Sequence, residues 1–315
     1  MIVVSNDPSW WPAINTYRLD SYFVVAAFVA VMYDWALTFG QEVELIWRQR
    51  WSVMTAMYLG ARYLGILSAV MTIVGNTPTI SLTDTVSWIM YTVCNWIGVV
   101  VFAMLWVIII ARLHAMYQGS RNILIFLVVT FLAINAFDAV VNIMSTMHAS
   151  GEELILSGTY QCQINYARED ILLLISVAWI LSTVWEVLVL CLAVWIVVRH
   201  FRELRQHSAG GIIGDCFTVL MKTHAVYFMS FVAVSCLHLI VNFYPTFFAS
   251  YSLTPQIISG VIQILDIVQT FVLGPRLILG VREYHAKLVA DSNAATGMTS
   301  IAFQERVQIS TGSGV

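Results

Sequence analysis

The chain has 315 residues, of which 59% are apolar and only 10% carry a charged side chain, and its formal net charge is −3. This number of charged side chains is too small to cover the surface of a soluble protein of this size. The composition therefore excludes a large soluble fold. The basic residues around Arg199 belong to a short loop between apolar stretches, so nothing indicates nucleic-acid binding.

Seven apolar stretches follow one another along the chain. Crossing about 30 Å of hydrocarbon takes roughly 20 apolar residues, and a helix satisfies its own backbone hydrogen bonds in lipid. We therefore predict an all-α integral membrane protein, a seven-helix bundle over residues 19–289. An N-terminal segment (1–18) precedes it, and a tail (290–315) rich in Ser, Thr, Ala and Gly is expected to be disordered. The predicted spans are Leu19–Phe39, Ser52–Val74, Trp88–Ala111, Ile123–Met147, Ile171–Val198, Ala225–Phe248 and Ile257–Leu279.

Basic residues lie mostly on one side of the predicted membrane. Of the 15 Lys and Arg residues, only Arg18 and Arg168 fall in loops on the opposite side, and Arg62 falls inside a span. Loops that retain Lys and Arg are usually cytoplasmic, so we expect the amino terminus outside and the carboxyl terminus in the cytoplasm. The lipid bilayer is then the main partner, in the plasma membrane or, alternatively, an endomembrane, and the inner loops offer a docking place for a cytoplasmic partner.

Two ionisable residues inside the first two spans have opposite charges. Charges within the bilayer are costly and need a partner or a role. Asp34 in the first span and Arg62 in the second differ in depth by about 6 Å, which an Arg side chain can bridge. We predict an Asp34–Arg62 ion pair with a structural role.

Three further acids lie in later spans with no basic residue at their depth. They are Asp138, Glu186 and Asp266, and their polar neighbours include Asn135, Asn142 and His238. Together with His238 the acids form a candidate ligand or ion pocket. A proton relay, a cation site, a counter-charge for a cationic ligand, and neutral acids bonded across helices all fit this pattern.

Two of the five cysteines fall where an oxidising compartment would reach them. Cys162 lies in the long outer loop, and Cys94 lies in the outer third of the third span. A disulfide between them and two free thiols both remain open.

Sequence signatures of enzymes are missing. There is no Gly-rich phosphate loop, nucleophile elbow or Cys-x-x-Cys pair, and no Lys within a span that could hold retinal. The His residues do not have the spacing of zinc ligands. We expect no enzymatic activity, no cofactor and no metal. The segments Ala111–Leu113 and Leu273–Arg276 also depart from the signature motifs of G-protein-coupled receptors at these places.

The first two spans carry a distinctive block. It comprises Tyr33-Asp34, the run from Glu42 to Trp47 (Glu-Val-Glu-Leu-Ile-Trp) and Arg62-Tyr63. This block resembles a large basidiomycete family of multi-pass membrane proteins catalogued as a domain of unknown function. The resemblance implies a fungal membrane protein and no particular substrate.

The inner loop of this block also has a physical interpretation. Charged and apolar residues alternate from Glu42 through Trp47, which is typical of an interfacial helix, and Glu44 has the spacing to pair with Arg48. Tyr33, Glu42, Glu44 and Trp47 are thus the candidate inner motif.

Three functional hypotheses remain. The leading one is receptor-like sensing of an unknown ligand, with the outer loops and unpaired acids facing a pocket. The second is a small-solute or ion/proton-coupled transporter using Asp138, Glu186 and Asp266. The third is a structural or assembly membrane protein with no ligand.

Overall fold

The computed structural model describes residues 2–49, 51–117, 121–166, 169–206, 212–244, 247, 252–280 and 282–283. The predicted disordered tail, 290–315, lies outside these ranges. The described elements, in chain order, are β1 (Ile2–Ser5), α1 (Trp11–Glu42), α2 (Val53–Gly75), α3 (Asp84–Met116), α4 (Arg121–His148), β2 (Ala149–Leu156), β3 (Thr159–Tyr166), α5 (Glu169–Gln206), α6 (Ile212–Phe243) and α7 (Leu253–Val268).

Six helical segments are long and apolar enough to cross a membrane. They are Pro8–Trp47, Val53–Gly75, Asp84–His114, Arg121–His148, Asp170–Arg199 and Leu253–Gly280. Each contains or closely overlaps a predicted span. The sixth predicted span corresponds to α6, whose described apolar stretch, Tyr227–Phe243, is shorter. The chain is thus an integral multi-pass membrane protein with several apolar helices.

Three strands cap one end of the bundle. Strand β1 pairs in parallel with β2, and β2 pairs antiparallel with β3. The backbone NH of Glu153 also donates to Asp84 Oδ1 at the start of α3, 3.0 Å away. We call this end of the bundle the sheet end. The opposite end, where α1 connects to α2 through Arg48, is the basic end.

The sheet lies mainly in the predicted long outer loop between the fourth and fifth spans, where strands were not predicted. Ser157 and Gly158 both have positive φ, 48° and 80°, which is the backbone of a tight two-residue hairpin turn. Part of the hairpin signal was present in the sequence, as a Ser-Gly pair followed by a run rich in β-formers, Thr159–Tyr166. Backbone pairing in the hairpin also satisfies polar groups at the membrane edge.

The last helix packs closely into the bundle. A Cβ on Gly260 would clash with the ring of Phe23 in α1, and one on Gly274 would clash with Leu105 in α3. Glycine at these two positions therefore lets the helices approach.

A wider helical turn follows α7 and precedes a proline. Residues Gln269–Leu273 form a π-helical turn, and the helix then continues to Gly280. Pro275 lacks an NH, and its ring crowds the carbonyl of Phe271 four residues earlier. The wider turn relieves that conflict without ending the helix, and the helix therefore carries Arg276 within it.

Candidate functional site

A buried charge cluster joins α1, α2 and the last helix near the basic end. Arg62 Nη1 lies 2.5 Å from Asp34 Oδ2, and Arg62 Nη2 donates to Thr38 Oγ1. Asp34 and Arg62 are only 4% and 1% exposed. The two residues expected to pair are thus in contact. Asp34 and Thr38 are one turn apart, so they present their side chains to the same neighbour.

The cluster has a third charged member, which lies inside the last predicted span, Ile257–Leu279, but was counted with the basic residues of the inner side. Arg276 Nε lies 2.5 Å from Asp34 Oδ1. The Asp34 carboxylate therefore receives one Arg on each oxygen. Arg276 belongs to the helix because the chain stays helical past Pro275 to Gly280, in agreement with the predicted span.

Glu42 is also part of this cluster, which corrects its assignment to an interfacial inner loop. It is fully buried and accepts hydrogen bonds from Trp47 Nε1 at 3.0 Å, Tyr58 Oη at 3.2 Å and Tyr63 Oη at 2.8 Å. Arg62 Nε lies 4.0 Å from Glu42 Oε2. Because α1 runs on through Glu42, its side chain points into the bundle, two turns after Asp34.

Tyr33 and Glu44 of the predicted inner motif do not join this cluster, whereas Trp47 contacts it through Glu42. Val43–Trp47 is a π-helical continuation of α1, and Tyr33 and Glu44 are exposed. Among the contacts of the described residues, none pairs Glu44 with Arg48. The interfacial helix is therefore replaced by the end of the first span.

Two acids and two Arg residues balance one another in this cluster, and all of them except Arg276 are buried. Removing one member would leave a buried charge uncompensated. Arg282 adds further contacts to the first two helical segments, because it donates hydrogen bonds to Leu45 O at 2.9 Å and to Thr55 Oγ1 at 2.7 Å. The cluster therefore holds the first, second and last helices together.

A separate cavity of about 330 Å³ lies between α3, α4 and α5. Its volume is at the lower end of those that hold small ligands. Its lining residues are Tyr91, Asn95, Gly98, Val99, Phe102, Trp106, Asn135, Asp138, Val141, Asn142, Ser145, Tyr166, Ile175, Ala178, Trp179, Ser182, Glu186 and Ser235.

Two of the predicted acids face this cavity. Glu186 is 5% exposed and accepts a hydrogen bond from Ser235 Oγ at 2.5 Å. Asp138 interacts with the Ser182 hydroxyl, while its Oδ1 is buried and has no hydrogen-bond partner among the described residues. Both acids lie in the wall of a space large enough for a ligand.

The cavity is bounded differently at its two ends. Towards the sheet end, the hydroxyls of Tyr91 in α3 and Tyr166 in β3 are hydrogen-bonded. Towards the basic end, Trp106 stacks on Trp185 with ring centroids 4.2 Å apart. Further apolar side chains, including Leu113, pack beyond this stack. The cavity therefore occupies the sheet half of the bundle and stops near mid-helix.

The other two predicted pocket residues lie behind the cavity wall. His238 Nε2 is 3.6 Å from Asp266 Oδ1, an ion-pair distance just beyond hydrogen bonding. The His238 ring stacks on Trp179, with centroids 4.6 Å apart. Because Trp179 lines the cavity, it separates His238 and Asp266 from that space.

The described residues contain no group of three His, Cys, Asp or Glu side chains that could hold a metal ion.

Cys94 and Cys162 are both free thiols. Cys162 interacts with Ser87 in the first turn of α3, whereas Cys94 interacts with Ser68 and Thr72 of α2. Seven residues of helix separate Ser87 from Cys94, which is about 10 Å along the axis. A disulfide would require a much shorter separation between the two Cα atoms.

The comparison with protein families concerns only the first two helices. No curated protein matches the chain. A family model matches residues 22–67, which hold Asp34, Glu42, Tyr58 and Arg62. The matched segment contains no residue of the cavity lining. It covers most of the charge cluster and confirms a resemblance to a family catalogued as a domain of unknown function. Over residues 22–67, this chain matches the Family of unknown function (DUF6533).

Proposed function

We propose that this protein is a receptor-like seven-helix membrane protein that binds a small ligand in the cavity between α3, α4 and α5. The observation that supports this most is the shape of the cavity. It begins beneath the Tyr91–Tyr166 contact and ends at the Trp106–Trp185 stack. A space that stops near mid-membrane can hold a ligand without giving it a path across.

The proposed orientation follows from charge. Loops with retained Arg residues face the cytoplasm in most membrane proteins. The sheet end would then lie outside, at the plasma membrane, and the ligand would enter there. The basic end, with exposed Arg48 and Trp51, would meet a cytoplasmic partner.

The charge cluster supplies a structural connection by which a ligand in the cavity would affect the basic end. It joins α1, α2 and the last helix, and the last helix also contacts α3 through Gly274 and Leu105. Helix α3 lines the cavity over four turns, from Tyr91 to Trp106. A ligand that shifts α3 would therefore act on the helix that carries Arg276.

A small group attached covalently inside the cavity tests this proposal. Ser182→Cys places a thiol in the cavity wall, and 2-aminoethyl methanethiosulfonate attaches a small amine to it through a disulfide. Hydrogen–deuterium exchange is then measured at residues 43–52 on the basic end. The proposal expects exchange there to change, relative to wild type treated with the same reagent to account for native cysteines. No change at the basic end, with complete labelling, would contradict receptor-like coupling.

A transporter is the second candidate, because Glu186 lines the cavity and also interacts electrostatically with His238 and Asp266. Several carboxylates inside the membrane region are typical of proton relays. Flux of protons or ions into vesicles containing the protein, lowered by Asp138→Asn and Asp266→Asn, would favour this function. Flux that neither substitution changes would remove it.

A further inference from the structure

The charged residues that line the cavity are all acidic. Asp138 and Glu186 are acidic, and none of its lining residues is Lys, Arg or His. His238, a basic residue close to the cavity, stacks on Trp179 and faces Asp266, and it has only a weak electrostatic interaction with Glu186. The two cavity carboxylates therefore lack the compensation that Asp34 receives from two Arg residues.

Aromatic side chains line the same cavity as these acids. Tyr91, Phe102 and Trp106 come from α3, Trp179 comes from α5, and Tyr166 comes from β3. The face of an aromatic ring attracts a cation, and the interaction strengthens when both are removed from water. Carboxylates within an aromatic wall are thus suited to a positively charged organic group.

Polar atoms without partners lie along one face of α4. Asp138 Oδ1, Asn142 Nδ2 and Ser145 Oγ are buried and have no hydrogen-bond partner among the described residues. Ser145 is 5% exposed. Their spacing, four residues and then three, puts them on a single helix face that lines the cavity. Buried polar groups are rarely left unpaired, so this stripe has capacity for a ligand with both donors and acceptors.

We propose that the cavity binds a small organic cation, a protonated amine attached to an apolar or aromatic body. The ammonium donates to Asp138 Oδ1, and Glu186 supplies the second negative charge deeper in the site. The apolar body lies against Phe102 and Trp179. This inference rests on the proposed function, because it names the ligand class of the same cavity.

The opposite ligand classes fit less well. An anion would meet two carboxylates and no basic side chain. A bare metal ion would need several oxygen ligands around it, and one oxygen of Glu186 is already hydrogen-bonded to Ser235. Only a ligand that combines positive charge with apolar surface uses both features of the wall.

A pair of probes that differ in charge tests the proposal. Binding of 2-phenylethylamine and of 2-phenylethanol to the purified full-length protein is followed by intrinsic tryptophan fluorescence, with calorimetry as a second readout. The amine is expected to bind at least tenfold more tightly than the alcohol. Asp138→Asn and Glu186→Gln should each lower amine affinity about tenfold, the factor that corresponds to about 1.4 kcal/mol. Alcohol binding should stay unchanged and so report an intact cavity.

The matched control is Asp20→Asn, which removes a carboxylate from α1, outside the cavity lining. It should leave both affinities unchanged. Equal binding of alcohol and amine would overturn the cation proposal while leaving a ligand cavity in place. Amine affinity that survives Asp138→Asn and Glu186→Gln would also overturn it. Failure of both probes to bind at about 10 mM, where even weak fragments register, would overturn it together with ligand binding in this cavity.

Discussion

Arg276 near the end of the last helix contacts Asp34 in the first, 242 residues earlier in the chain, with Nε 2.5 Å from Oδ1. Arg62 occupies the other carboxylate oxygen. The bundle is therefore closed between its first and last helices by a shared buried charge. The family match ends at residue 67, so one partner of this contact lies within the matched block and another lies far outside it.

We predict that Asp34→Ala and Arg62→Ala each lower the free energy of unfolding by about 3–5 kcal/mol, because each leaves a buried charge without its partner. Arg276→Ala should cost less, since its side chain is 44% exposed and water can replace part of the interaction. Thermal unfolding of the purified variants measures this order. Arg48→Ala, at an exposed position, is the control. Equal stability of Asp34→Ala and the control would contradict the proposal that the charge cluster holds the helices together.

Close packing of the last helix gives a second prediction. Gly274→Ala should destabilise the protein by about 1–3 kcal/mol, because the added Cβ overpacks the contact with Leu105. Gly40→Ala is the matched control, since a Cβ there meets nothing within 4 Å and alanine favours the helix. Unfolding curves of both variants test this. Pairing Gly274→Ala with Leu105→Val should recover part of the loss, and simple additivity of the two losses would argue against the contact.

The thiol of Cys162 should ionise at a higher pH than an ordinary cysteine. Burial raises its pKa, the hydrogen bond to Ser87 opposes the shift, and the carboxylates of Asp84 and Glu153 add to it. Cys162 therefore stays protonated, and reacts slowly with iodoacetamide, at pH values where the same cysteine in the unfolded chain is a thiolate. Peptide mapping across a pH series measures this.

The same shift affects stability. Because the folded-state pKa is raised, this group's contribution to stability is present below the unfolded value, about 8.5, and is lost as pH rises through the folded pKa. Glu153→Gln should move the alkylation midpoint to lower pH. A midpoint equal to that of the unfolded chain, or a Cys94–Cys162 disulfide in the non-reducing map, would contradict the prediction.

The Tyr91–Tyr166 hydrogen bond should slow entry into the cavity from the sheet end. Tyr91→Phe keeps the ring and removes the hydroxyl, which costs the closed state about 0.5–1.5 kcal/mol. We expect labelling of Ser182→Cys to become roughly 2–10-fold faster in this background. Stopped-flow or quenched labelling measures the rate, and Tyr22→Phe, at an exposed position of α1, is the control. An unchanged rate in Tyr91→Phe would show that the contact does not limit entry.

The sequence predicted the membrane spans well because lipid burial demands long apolar runs, and those runs are visible without a structure. It also placed Asp34 and Arg62 together, since both lie inside spans joined by a short connection. It did not pair Arg276 with Asp34, although the last predicted span contains Arg276, because the contact between the first and last helices depends on how the bundle packs.

The burial of Glu42 and the composition of the cavity wall were harder to predict from the sequence. An acid near the end of a span reads as an interfacial residue, and only the continuation of α1 turns it inward. The acids Asp138 and Glu186 were identified by their lack of basic partners. Their separation from Asp266 depends on how Trp179 packs, and the packing of aromatic side chains between helices leaves no periodic signal.

The most direct test of the account is whether the cavity is reached from one side only. Ser182→Cys, in sealed vesicles of known orientation, is exposed to a membrane-impermeant trimethylammonium thiosulfonate from each side in turn. Val4→Cys on the sheet end and Trp51→Cys on the basic end, both exposed positions, identify the two faces. A cavity open only towards the sheet end requires that Ser182→Cys react from the same side as Val4→Cys and not from the side of Trp51→Cys. Reaction from both sides, or from the Trp51 side alone, would contradict it.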